Sequence, residues 1–101
     1  MQYVVIGWDG TDDGAPDRRR KARPTHLERI QPRVETGEVL VGGAILDDDG
    51  AMIGSVLVMD FATRDDLDDW LRNDPYTTEG VWQRVDVRPY RAAVGAWMPG
   101  T

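Results

Sequence analysis

Two strand-like segments joined by an acidic turn constrain the fold of this chain more than any other feature. Glu38 to Leu46 and Met52 to Phe61 are rich in apolar and β-branched residues, and Asp47-Asp48-Asp49-Gly50 separates them. Two such segments around a short turn are typical of a β-hairpin. The elements on either side must therefore be arranged around an antiparallel pair of strands.

The acidic turn has the composition of a calcium loop but not its pattern. The common calcium loops place their ligands over a longer fixed spacing and end on a glutamate, and neither feature follows Asp47. We expect a solvated hairpin tip and no metal site. The chain also contains no cofactor-binding motif, so no cofactor is expected.

A strand and a helix are expected on each side of the hairpin. Gln2 to Trp8 is typical of a buried strand, and the stretch that ends at Thr36 has helical spacing. After the hairpin, Thr63 is expected to cap a second helix that ends at Asp74-Pro75, and Val81 to Arg88 alternates as a fourth strand. The order βαββαβ predicts an α+β, ferredoxin-like fold, in which a four-stranded antiparallel sheet carries both helices on one face.

The first helix carries an apolar stripe and two prolines. Leu27, Ile30 and Val34 recur at helical spacing, so this stripe is expected to face the sheet. Pro24 and Pro32 each lack a backbone N–H and crowd the preceding turn. We expect a break or a kink near each of them.

The fourth strand indicates how the other face of the sheet is covered. Its valines are expected to point inward, which places Trp82 and Tyr90 on the outer face among charged residues. A homodimer packed sheet against sheet would cover that face. Residues 1–91 are then the domain, and residues 92–101 are a tail that drapes over the partner or frays.

Length and charge exclude several classes of function. A chain of 101 residues fits one domain, and no segment approaches the length of apolar sequence needed to span a bilayer. The net charge of −6 repels polyphosphate backbones, so a nucleic-acid partner is not expected. The sequence contains no cysteine, and we expect a cytoplasmic protein.

The single histidine is the natural candidate for acid-base chemistry near neutral pH. On the first helix, His26 flanks the apolar stripe and Arg23 lies over it. An arginine in that position either reaches an anion in a pocket or is turned outward by a kink at Pro24. Both interpretations of Arg23 stay open at this point.

An acidic residue continues the apolar stripe of the second helix. Leu67, Trp70 and Leu71 form the stripe, and Asp74 extends it at the C-terminal end, where the helix dipole disfavours negative charge. Asp74 either caps a turn that starts at Pro75 or forms a proton-transfer pair with His26, and the two roles are compatible. We hypothesise that His26 and Asp74 share one cleft.

Several motifs together resemble one known family over residues 2 to 91. The resemblance is carried by Tyr3-Val4-Val5-Ile6 ending in Asp9, Arg23-x-x-His26-Leu27, Gly37 with Gly42-Gly43, Gly54-Ser55, and Asp74-Pro75-Tyr76 with Gly80-Val81. In this order and spacing, they resemble the YciI-like (YCII-related) family.

The resemblance implies a ferredoxin-like fold in a dimeric α+β barrel, with an active site around a histidine and an aspartate. In this sequence, they correspond to His26 and Asp74. Arg23, Ser55 and Tyr76 are implied as substrate-binding neighbours, and Asp9 as a further lining residue. One characterised branch of the family removes chloride from chlorinated hydroxyquinols, and the fold is shared with muconolactone isomerases.

Two functions of different class follow. The first is a small cofactor-independent enzyme that performs lyase or isomerase chemistry on a cyclic or aromatic metabolite, with His26 as acid-base and Asp74 as its partner. The second is a non-catalytic dimeric domain that binds a small ligand in the same pocket. A ligand or an ordered anion in the cleft between the first helix and the sheet would be the most decisive observation, and a cleft closed by packed side chains favours the binding domain.

Overall fold

A four-stranded antiparallel sheet forms the frame of the domain, with its strands in the order β2-β3-β1-β4. The computed structural model describes residues 1–98. The strands are β1 (Gln2–Asp9), β2 (Val39–Leu46), β3 (Met52–Asp60) and β4 (Trp82–Tyr90), and the helices are α1 (Ala15–Glu35), α2 (Arg64–Asn73) and α3 (Pro75–Thr78). The ferredoxin-like α+β fold predicted from the sequence is confirmed.

The predicted hairpin is formed by β2 and β3. Asp47 holds its turn, because its side chain accepts hydrogen bonds from the backbone N–H groups of Asp49 and Ala51, each at 2.9 Å. Gly50 has a φ of +86°, a left-handed conformation that favours glycine. The acidic residue at position 47 is thus explained by turn formation.

The main core lies between the sheet and α2. Tyr3 of β1 and Met59 of β3 are paired across the sheet, and the apolar stripe of α2 packs on them. That stripe is the predicted one, formed by Leu67, Trp70 and Leu71. The side chain of Thr63 caps the helix by accepting the N–H of Asp66 at 3.1 Å, as predicted.

Helix α1 is continuous through both prolines, so the break expected from the sequence is absent. Pro24 removes only the hydrogen bond that its own N–H would have made to Arg20. Buried side chains anchor the helix on either side of that gap, Arg19 before it and His26 after it. Pro32 lies in the last turn, where its carbonyl accepts the N–H of Thr36 at 3.1 Å.

Of the predicted apolar stripe of α1, Ile30 packs against the core, but Leu27 and Val34 do not form the buried face. Leu27 is 45% exposed and Val34 is 44% exposed. The face against the sheet instead carries Arg19, Ala22 and His26. The physical reason is that the two polar side chains find charged or hydrogen-bonding partners inside the fold, which apolar periodicity cannot register.

Trp82 was predicted on the outer face, and this prediction is wrong. The pairing of β1 with β4 shifts between Trp8 and Asp9, so that Trp8 pairs with Arg84 and Asp9 pairs with Trp82. Gln83 is the extra residue of this β-bulge, and it turns Trp82 to the helix side. The indole lies over Gly7, where an added Cβ would come 2.6 Å from Nε1.

Within residues 1–98, no helix lies on the opposite face of the sheet. Because Tyr3 and Val5 point into the core, the alternation of β1 places Val4 and Ile6 on this open face. Tyr90 pairs with Gln2 at the edge and is exposed as predicted.

The chain leaves the domain after β4. The N–H of Ala92 donates a hydrogen bond to Gln2 Oε1 at 2.8 Å, which fixes the start of the predicted tail. The last part of that tail, residues 99–101, lies outside the described residues. Over residues 1–98, none of the helices has the length and apolar character to span a bilayer.

Candidate active site

His26 and Asp74 are in direct contact on the helix side of the sheet. His26 Nδ1 lies 2.6 Å from Asp74 Oδ2. Their side chains are 6% and 0% exposed, respectively. A carboxylate can only accept a hydrogen bond from the imidazole, so this contact favours a hydrogen on Nδ1 and a free lone pair on Nε2.

The junction between α2 and α3 aims the Asp74 carboxylate. Asp74 has extended backbone and caps α3, because its Oδ2 accepts the N–H of Tyr76 at 3.0 Å. Its second oxygen, Oδ1, accepts a hydrogen bond from Arg29 Nη1 at 2.8 Å. The capping role and the contact with His26 therefore occur together, and Arg29 is a third member that the sequence analysis missed.

An aromatic cluster holds the imidazole from two sides. The Tyr76 ring stacks on His26 with 3.7 Å between the centroids and 8° between the planes. The Trp82 ring stands edge-on to both, with centroid distances of 5.9 Å to His26 and 5.4 Å to Tyr76. Burial raises the pKa of the Tyr76 hydroxyl above its ordinary value, so the hydroxyl stays neutral further into the alkaline range.

A buried arginine links Asp9 to the rest of the site. Arg19 Nε lies 2.6 Å from Asp9 Oδ2, and both side chains are buried. The same guanidinium donates to Ser55 Oγ at 2.7 Å and to the Tyr76 hydroxyl at 3.3 Å. Asp9 thus reaches the site only through Arg19. The sequence analysis did not identify Arg19 as a residue of the site. Its position could have indicated it, because Arg19 lies two turns before His26 on the same face of α1.

A cavity of about 190 Å³ lies in front of the imidazole. Ser55 and Tyr76 line its floor, and Gly42 and Gly43 of β2 lie on its far side. In the described part of the chain, His26 Nε2 has no hydrogen-bond partner, and no fully buried side-chain nitrogen or oxygen lacks one. Nε2 is therefore open to the cavity.

Arg23 lies at the rim of this cavity. Its side chain is exposed, and within residues 1–98 it makes no hydrogen bond or ion pair. A second cavity, of about 420 Å³, shares Arg19 and Arg23 with the first. Of the two interpretations of Arg23, the structure favours a position at a pocket mouth, which it reaches without a break in the helix.

The residues around the cavity have the groups that proton transfer needs. Across residues 1–98, no three histidine, cysteine or carboxylate side chains come together as a metal-binding group. What the residues provide is a base at His26 Nε2, a hydroxyl at Ser55 and a free cation at Arg23, all on one cavity.

Fold and site together define a small ferredoxin-like domain with a buried histidine–aspartate pair beside a cavity. The chain belongs to the YCII-related domain family, whose model matches residues 1–91. Protein YciI of Escherichia coli O6:H1 is 31% identical over 97 residues, which cover 90% of this chain and 97% of that protein.

Two further proteins are similar to this chain. The solved structure of 5-chloro-2-hydroxyhydroquinone dehydrochlorinase (TftG) from Burkholderia phenoliruptrix AC1100, in complex with 2,5-dihydroxybenzoquinone, is 26% identical with a TM-score of 0.78. The likeness covers 90% of this chain and 94% of that one. The "derivative of benzaldehyde biosynthesis cluster protein C" of Emericella nidulans is 33% identical over 69 residues, which cover 61% of this chain and 70% of that protein.

Proposed function

We propose that this protein is a cofactor-independent enzyme that moves protons on a small cyclic or aromatic metabolite, as a lyase or an isomerase. The observation that carries the proposal is the contact of 2.6 Å between His26 Nδ1 and Asp74 Oδ2, with Nε2 open to a cavity. An imidazole whose tautomer is fixed by a carboxylate is a common general base near neutral pH.

The proposed chemistry begins with proton removal by His26 Nε2. In an isomerisation, the proton taken from one atom of the substrate returns to another atom of the same molecule. In an elimination, the proton and a leaving anion such as chloride depart, and a new double bond remains in the substrate. In both cases Asp74 stabilises the imidazolium that forms, and Arg29 balances the carboxylate while the imidazole is neutral.

The size of the cavity supports a single-ring substrate. A cavity of roughly 150 Å³ suffices for benzene in a protein interior, and the cavity at His26 measures about 190 Å³. Arg23 at its mouth is suited to an anionic substituent. The related dehydrochlorinase, which has a one-ring phenolic substrate by name, supports the same class for this chain.

We further propose that two copies pair through the open face of the sheet. Val4 and Ile6 lie on that face, and Val41 and Trp8 are exposed large apolar side chains. Monomeric proteins rarely leave so apolar a face uncovered. The proposed domain, residues 1–91, would form the dimer, with residues 92–101 as a tail.

The function is tested by a screen of substituted hydroquinones and cyclic diketones, including 5-chloro-2-hydroxyhydroquinone. Deuterium uptake from D₂O reports proton exchange, and chloride release reports elimination. We expect turnover by the wild-type protein and a loss of about 10²–10⁴-fold in His26→Gln. Glu28→Gln, an exposed position two residues along the same helix, is the matched control and should keep the wild-type rate.

Two outcomes would contradict the proposal. If His26→Gln turns over a substrate as fast as the wild type does, His26 is not the base. If ring compounds bind to the cavity but none is turned over by the wild type, the protein is the non-catalytic ligand-binding domain that is the alternative.

A further inference from the structure

The hydrogen bonds around Ser55 decide what kind of ligand oxygen the cavity accepts. Ser55 Oγ lies 2.7 Å from Arg19 Nη2 and 3.2 Å from Trp82 Nε1. A guanidinium and an indole N–H can only donate hydrogen bonds. The serine oxygen must therefore be the acceptor in both.

Two donors use up the accepting capacity of a hydroxyl. A serine has one hydrogen to donate and two lone pairs that accept. With both lone pairs engaged, only its hydrogen is left. Within residues 1–98, Ser55 Oγ donates no hydrogen bond, and Ser55 lines the cavity in front of His26.

We propose that Ser55 is a fixed hydrogen-bond donor to the ligand, and that its place in the cavity favours the oxygens that accept most strongly: the ionised oxygen of a phenol or enol, or a quinone carbonyl. Arg19 and Trp82 are the positioning residues, because they prevent Ser55 from accepting. The inference concerns the same cavity as the proposed function and names its ligand class, but it requires binding only.

The buried partners reinforce this polarity. Arg19 also donates to the Tyr76 hydroxyl at 3.3 Å, which leaves the hydrogen of that hydroxyl unused as well. Asp9 balances the charge of Arg19, with 2.6 Å between Asp9 Oδ2 and Arg19 Nε. This ion pair holds the guanidinium in place while its Nη2 still donates a hydrogen bond to Ser55. The two side chains that contact Ser55 Oγ, Arg19 and Trp82, therefore both present hydrogens to it.

The test uses 4-nitrophenol, whose ionised form absorbs visible light and whose neutral form does not. Its affinity is measured in both forms by titration across pH, and 2,5-dihydroxybenzoquinone serves as a second probe. We expect the wild type to bind the phenolate more tightly than the phenol. Ser55→Ala should reduce that preference by about tenfold, the effect of one hydrogen bond to a charged group.

Trp82→Phe tests the positioning role without touching the serine. It frees one lone pair of Ser55, so the preference for the phenolate should fall severalfold while the hydroxyl is still present. Trp97→Phe, at an exposed tryptophan in the tail, is the matched control and should behave as wild type.

Three results would overturn the inference. They are an unchanged phenolate preference in Ser55→Ala, an equal loss of affinity for both forms in the Ser55 and Trp82 variants, and no binding of either probe at millimolar concentration. Because the measurement needs no turnover, it is independent of the test of His26. A phenolate preference lost in Ser55→Ala but no proton exchange by the wild type would support this inference and refute the proposed enzyme.

Discussion

The imidazole of His26 lies flat on the ring of Tyr76, with 3.7 Å between the ring centroids. One edge of the same imidazole is held by Asp74, whose carboxylate also caps the helix on which Tyr76 lies. The stack and the hydrogen bond come from one short stretch of chain, residues 74 to 76. Two of the contacts that orient His26 therefore come from one local structure, the start of α3.

The stack leads to a prediction for stability. Tyr76→Phe keeps the ring but removes the acceptor of one Arg19 hydrogen bond, so it should lower the free energy of unfolding by about 1–2 kcal/mol. Tyr76→Ala leaves a large void and should cost about 3–5 kcal/mol. Urea denaturation measures both. Tyr90→Phe, at an exposed tyrosine, is the control. Equal costs for Tyr76→Phe and Tyr76→Ala would show that the stack contributes nothing.

The raised pKa of Tyr76 predicts a loss of stability at high pH. The ordinary value is 10.0, and burial raises the pKa in the folded protein. The stability from the neutral hydroxyl is therefore complete below pH 10, and it is lost as the pH rises through the folded value. Unfolding followed by tyrosinate absorbance should show Tyr76 ionising with unfolding, and Tyr76→Phe should flatten the alkaline fall in stability. An identical alkaline profile in Tyr76→Phe would refute this.

Asp74→Asn should separate the charge of the carboxylate from its capping role. The amide oxygen can still accept the N–H of Tyr76, but the charge that faces Arg29 is gone. Because Asp74 is fully buried and Arg29 is partly exposed, we expect a loss of about 2–3 kcal/mol in the free energy of unfolding. Asp69→Asn, in an exposed pair with Arg72, should change it by less than about 0.5 kcal/mol. A neutral effect at Asp74 would contradict the ionic role.

Replacing Pro24, inside α1, should stabilise the folded protein. Pro24→Ala restores a missing helical hydrogen bond, and the free energy of unfolding should rise by about 1–3 kcal/mol. Pro16 lies in the first turn, where the N–H groups have no helical partner, so Pro16→Ala is the control and should give no such gain. Thermal and urea unfolding measure the difference. A destabilised Pro24→Ala would show that the proline shape is itself required by the packing of α1.

The proposed dimer is tested by sedimentation. A stable pair should bury at least about 1,000 Å² in total, and we expect a dimer at micromolar concentration. Ile6→Lys places a charge on the open face of the sheet and should give a monomer. Val34→Lys changes an exposed apolar side chain on the helix side and should leave the dimer intact. A monomeric wild type would remove the proposal.

Much of the fold could be predicted from the sequence, because turns, helix caps and apolar stripes are each determined by residues that lie close together along the chain. The hairpin is specified by an aspartate-rich turn between two apolar runs, and α2 by a threonine cap and a clean apolar stripe. These features act over a few residues, so they can be recognised without knowledge of the tertiary structure. The capping of α3 by Asp74 could be predicted for the same reason, since an aspartate directly before a proline is a common start of a helix.

The rotation of α1 could not be predicted from periodicity. Leu27 and Val34 suggested one face, but the helix buries Arg19 and His26 instead, because Asp9 and Asp74 lie where these two side chains enter the core. Those partners are 10 and 48 residues away along the chain. A buried ion pair can be predicted from sequence only when the positions of both residues in the fold are already known.

The bulge in β4 leaves that strand one residue longer than its pairing with β1 requires. Arg84 faces the open side and Trp82 the helix side, although only Gln83 stands between them. Deleting Gln83 would make the two residues consecutive, and regular alternation would then put Trp82 where it already is. The loss of one residue at position 83 would therefore leave the indole of Trp82 on the helix side. A relative that lacks the residue equivalent to Gln83 can still place a tryptophan over Gly7.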